Sequence, residues 1–96
     1  MKLLTKKLIK EIPQLYEQDS KGQDAIAYIK FFTPWSNWTW YATEFDGEDT
    51  FFGLVDGFEK EFGYFSLSEL KSLDGPFRLK VERDLYFNPT RIRDLI

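Results

Sequence analysis

Neither cysteine nor histidine occurs anywhere in the 96 residues of the chain. Without cysteine there is no disulfide framework, no thiolate metal site and no cysteine nucleophile. Without histidine, the commonest general base and the commonest transition-metal ligand are both missing. Any catalysis would rest on carboxylates, lysines, tyrosines or hydroxyls, residues that every soluble protein carries. A long apolar run is missing as well. Lys6, Lys7 and Lys10 interrupt the N-terminal stretch below signal-peptide length, and nothing approaches the roughly 20 apolar residues of a membrane span. These absences predict a cytoplasmic protein with no membrane partner, and no cofactor is implied.

What the chain does contain is apolar and aromatic. At 43 % apolar and 19 % aromatic residues it is too hydrophobic to stay disordered, even with 30 % charged. A chain of this length holds one core, so residues 1–96 are expected to form a single domain burying roughly 60 to 68 % of its unfolded surface. The net charge of −3 hides an asymmetry. Residues 44–61 hold seven carboxylates against Lys60 alone, which leaves the rest of the chain net positive.

Leu4, Leu8, Ile12 and Leu15 recur at helical spacing, with Thr5 as N-cap and Pro13 ending the helix near Ile12. A further turn from Pro13 is expected to carry Leu15 and Tyr16 inward, before a polar surface loop over residues 17–24. Ala25 to Phe32 is dense in β-formers and reads as the first strand. Trp38 opens the second, with Trp38, Trp40 and Ala42 on one face and Thr39, Tyr41, Thr43 and Phe45 on the other. The turn Asp46–Asp49 leads to a third strand over Thr50–Asp56, where Gly53 suggests a bulge or a close neighbour. A fourth strand follows over Phe58–Ser66. Ser66 and Glu69 match a capping box that opens a short helix with Leu67, Leu70 and Leu73 inward, stopped by Asp74-Gly75-Pro76. Leu79–Glu82 reads as an edge-type fifth strand, and Ile92, Leu95 and Ile96 as the inner side of a last helical turn after Asn88-Pro89-Thr90. The order predicts an α+β domain: a four- to five-stranded, mainly antiparallel meander with helices packed on one face.

Two constellations stand out. Glu44, Asp46, Glu48 and Asp49 form an acidic cluster with Asp56 one strand later. Such carboxylates suit a hard cation if a hairpin brings Glu44 and Asp56 together, but the run lacks the fixed spacing of a calcium loop, and Asp-Gly pairs are ordinary hairpin chemistry. The second is the density of rings, nine between Phe31 and Phe52. Adjacent pairs such as Phe31-Phe32, Trp40-Tyr41 and Phe51-Phe52 must point to opposite sides of a sheet. With too little helix to cover both sides, one face should show rings to a partner. Single-stranded nucleic acid also stacks on rings but needs a basic groove around them. The cations here, Lys2, Lys6, Lys7 and Lys10 or Arg78, Lys80, Arg83, Arg91 and Arg93, are mixed with acids and read as solvated faces.

The runs FFTP, WTWYATEFDGEDTFFGLVDGFEKEFGYFSLSEL and ERDLYFNPT resemble a small bacterial family of unknown function. Its members are single-domain proteins of about this length, often encoded on plasmids, phages and other mobile elements. The resemblance brings no established activity and no catalytic residues. It implies a setting in which small acidic proteins act as anti-defence or accessory factors by binding host proteins. Two readings follow. In one, the chain is a non-enzymatic binding protein, an inhibitor of a host nuclease or restriction system, presenting Glu44, Asp46, Glu48 and Asp49 with Trp35, Trp38 and Tyr41. In the other, Glu44, Asp46 and Asp56 serve a metal-dependent hydrolase; a nucleic-acid-binding accessory protein is a further alternative. A second copy of the chain competes with a host protein as the occupant of the ringed face.

Overall fold

The structure, a computed structural model, describes residues 2–96. Helix α1 (Lys6–Glu11) starts where Thr5 Oγ1 accepts the Leu8 amide at 3.2 Å, and Pro13 prevents its continuation beyond Ile12. A 3-10 stretch over Asp19–Asp24 follows. Two short strands come next, β1 (Ile26–Ala27) and β2 (Ile29–Phe32), then the long strands β3 (Thr39–Phe45), β4 (Thr50–Asp56) and β5 (Lys60–Ser66). Helix α2 (Leu67–Ser72), strand β6 (Glu82–Arg83), strand β7 (Thr90–Arg91) and a 3-10 turn over Ile92–Asp94 complete the chain.

Five strands form one antiparallel sheet in the order β5-β4-β3-β2-β6, a meander with a short strand added at its far edge. The domain is therefore α+β, as its pattern of periods predicts. One face carries a row of phenylalanines, Phe31, Phe45, Phe51 and Phe65, with ring centroids 4.4 to 5.4 Å apart. The N-terminal segment with α1 and α2 cover this row with Leu3, Ile12 and Leu70. Each ring removed from water contributes about 1.5–3 kcal/mol, so this row is a substantial source of stability. The opposite face is closed in part by β1 and β7, which pair as a separate two-stranded sheet, and by Ile92 and Leu95. Strand and 3-10 segments thus supply the cover that the short helices cannot.

Four details depart from the sequence expectations. Residues 25–32 form two strands that turn at Tyr28 to serve two different sheets, because Ile26 and Ala27 pair with Arg91 and Thr90 whereas Ile29 to Phe32 pair with β3. Phe45 lies on the helix-covered face with Trp40 and Ala42: the register shifts by one residue between Ala42 and Glu44, and that bulge reverses every side chain after Thr43. Tyr16 faces solvent at positive φ, while the neighbouring Gln18, expected in a surface loop, is buried. The fifth strand is Glu82–Arg83, because Leu79 and Lys80 are used to close the 74–80 loop: the Gly75 amide donates to Leu79 O and Asp74 bridges Lys80. No helix among the described residues is long and apolar enough to cross a membrane.

Candidate functional site

The acidic residues are employed mainly in building the fold. Glu44 is only 2 % exposed, and its two carboxylate oxygens accept the amides of Tyr16 and Gln18 at 2.9 and 2.8 Å. Asp46 Oδ1 accepts three amides in its own turn, from Glu48, Asp49 and Thr50 at 2.8 to 3.0 Å. The Glu48 amide, foremost among these donors, holds the Asp46 carboxyl below its ordinary value against an opposing push from desolvation. Asp49 accepts both the amide and the hydroxyl of Ser68 at 2.8 Å, which ties the turn to the first residues of α2. Glu48 points to solvent. Asp56 sits opposite Thr39, whereas Glu44 sits opposite Phe52, so the hairpin register separates Asp56 from Glu44 and Asp46 by most of a strand. No group of acidic residues among the described ones is placed to hold a metal ion.

The aromatic residues are divided by the sheet. Tyr41 lies on the back face against Phe87, with Lys30 Nζ 6.0 Å from its ring centre. Trp35 and Trp38 share a groove on the other side, lined also by Trp40, Leu73 and Glu69, of about 470 Å³. Trp38 stacks on Trp40 at 5.9 Å and receives the edge of Phe58 at 5.4 Å. Trp38 and the acidic turn lie at opposite ends of β3, roughly 25 Å apart at the rise of a strand. The seven residues singled out by sequence therefore do not form one surface: Trp35 and Trp38 meet, and the other five stand elsewhere.

Glycine sets the posture of both tryptophans. A Cβ on Gly57 would lie 2.3 Å from the Trp38 ring, and one on Gly75 would lie 2.2 Å from the Trp35 ring. Each indole thus rests against bare backbone where any other residue would displace it. Phe58, at the tip of the β4–β5 turn, is 95 % exposed and extends the groove into a second hollow bordered by Val55, Glu59 and Glu61. Among the described residues, the walls of these two adjoining hollows hold three carboxylates, Glu59, Glu61 and Glu69, and no cation, whereas a third hollow that shares Thr33, Ser36 and Trp38 with the groove is lined by Lys30 and Arg83 together with Glu82 and Asp84.

Phe58, Leu73 and these three carboxylates are what reading the sequence for function missed. One signal was available for Phe58, a large ring placed directly after Asp56-Gly57 in a turn, where burial is rare. The chain belongs to a family described as a protein of unknown function (DUF2958), which matches residues 3–93. No curated protein and no solved structure matches it.

Proposed function

We propose that this member of the unknown-function family is a protein-recognition module without chemistry of its own, which seats a basic segment of its partner in the tryptophan groove. The observation that carries this reading is the company of the rings: indoles held against glycine and left partly open, with Glu59, Glu61 and Glu69 as the charges on the walls of the groove and the hollow under Phe58. Rings fixed before binding lose little freedom on binding, which favours affinity. An arginine or lysine placed over an indole gains about 0.5–2 kcal/mol from the ring quadrupole, and the rim carboxylates steer its approach. The partner class with the matching surface is a nucleic-acid enzyme of the host, a nuclease or restriction system, whose substrate groove is lined with such cations. The finer form of the proposal is an anti-defence accessory factor of a mobile element, acting in the cytoplasm.

A photoreactive phenylalanine analogue at position 58 tests this in the native host. The expected result is one dominant crosslinked protein with a basic surface, lost from chains that also carry Trp38→Ala or Glu59→Lys with Glu61→Lys. The same analogue at exposed Lys21 should yield none. Crosslinking that survives both changes, or that is equally strong from position 21, would remove the groove from the account.

A further inference from the structure

A different part of the molecule, the free edge of the main sheet, carries its own inference. Strand β5 is the terminal strand, with no strand on its outer side among the described residues. The Leu67 amide donates to Asp49 O at 2.8 Å and the Gly57 amide to Glu59 O at 3.1 Å, which fixes the alternation of the ladder between them. In that register the odd residues of β5 turn their N–H and C=O groups to β4, and Lys60, Phe62, Tyr64 and Ser66 turn theirs outward. The devices that usually blunt such an edge are sparse: β5 pairs with β4 without a register shift and contains no proline.

We propose that this edge is the two-fold interface of a homodimer, pairing β5 with β5 of a second copy in antiparallel register centred on Gly63. Of the two-fold registers open to β5, that one opposes the strand along its full length. It sets Phe62 opposite Tyr64 and Lys60 opposite Ser66, so the outward-facing groups bond each other except the Ser66 carbonyl, which α2 uses at its N-cap. No like charges meet. The narrow pair, where Cα atoms approach to about 4.5 Å, falls on Gly63 at the axis. On the back face the rings already form a ladder, Phe52 against Tyr64 at 5.0 Å and against Phe62 at 6.1 Å, and pairing continues it into the second copy. Phe62 and Tyr64 are 43 % and 59 % exposed in the single chain, and the joined sheet covers them. An extended peptide of another protein would also add to this edge; a second copy is the better match because β5 itself sets Phe62 against Tyr64 and brings no like charges together in the register that uses its full length. Seven residues make a small interface, so association is expected at about 10–100 µM.

The lack of cysteine makes the test direct. A Cβ at Gly63 meets nothing within 4 Å, so Gly63→Cys is tolerated, and two such residues at the axis lie at disulfide distance. The expected result is oxidation of Gly63→Cys to a covalent dimer at least tenfold faster than Glu61→Cys, whose copies stand far apart in this register. The native chain should rise from 11.4 kDa toward twice that mass with concentration in sedimentation equilibrium. Tyr64→Pro, which removes an outward donor together with the ring that meets Phe52, should weaken the dimer at least tenfold, whereas Tyr64→Ala, which removes the ring and keeps the donor, should weaken it less. Trp38→Ala should leave the mass curve unchanged, which separates this inference from the groove. A mass fixed at one chain up to about 1 mM by the same scale of affinities, or equal oxidation at positions 61 and 63, would overturn it.

Discussion

Glu44 shows how a side chain that looks functional in sequence becomes structural once its neighbours are known. Its carboxylate receives two amides from the 13–18 segment, and Gln18 in turn spans Ile26 and Thr43 with its own amide group at 2.7 to 2.9 Å. This network fastens the turn after α1 onto the back face of the sheet. Glu44→Ala would leave two amides without acceptors in a closed site and should cost roughly 2–4 kcal/mol in urea unfolding. Asp46 acts by a similar principle at the surface. Its pKa is lowered on folding, so its contribution is present above the unfolded value of 3.8 and disappears as pH falls through the folded one. Asp46→Asn should therefore flatten the acid limb of the stability curve below about pH 4. Glu48, whose side chain points to solvent, should tolerate Glu48→Lys within about 0.5 kcal/mol. That makes it the clean probe of any docking role for the acidic turn.

At the scale of elements, the bulge in β3 and the glycine facing it work as one device. Gly53 pairs with Ala42 just before the shift, and a Cβ there would lie 1.9 Å from Tyr41 O. Gly53→Ala should consequently cost about 3 kcal/mol or more, at or beyond the upper range for overpacking, because the obstruction is backbone rather than a flexible side chain. Thermal unfolding against Gly63→Ala, where a methyl group meets open space, checks the claim. A close neighbour of Gly53 was legible in the sequence, as were the span of β4, the Thr5 and Ser66 caps and the stop at Pro13. These depend on signals only a few residues long. The division of residues 25–32 was not legible, since every residue there favours a strand and the break is imposed by pairing with Thr90 and Arg91, more than sixty residues later in the chain. Nor was the side taken by Phe45, which follows from a one-residue shift that leaves no mark in the alternation.

Across the whole molecule, the groove is assembled from three separate stretches: Thr33 to Trp40, Val55 to Glu61, and Glu69 with Leu73. The excess of rings was visible in sequence because adjacent aromatics cannot share one face. Their acidic companions were not, because the carboxylates that reach the groove come from the β4–β5 turn, the start of β5 and α2 rather than from the denser cluster at 44–49. The central claim is that this groove takes a cationic segment through its indoles. The most direct measurement follows the indole N–H resonances of Trp35, Trp38 and Trp40 while an arginine-rich peptide is titrated into the protein, with a glutamate-rich peptide of equal length as control. The account predicts saturable shifts centred on Trp38 with the arginine peptide alone, reduced at least tenfold in affinity by Glu59→Lys with Glu61→Lys. Indole resonances that stay in place, or that move equally with both peptides, would contradict it.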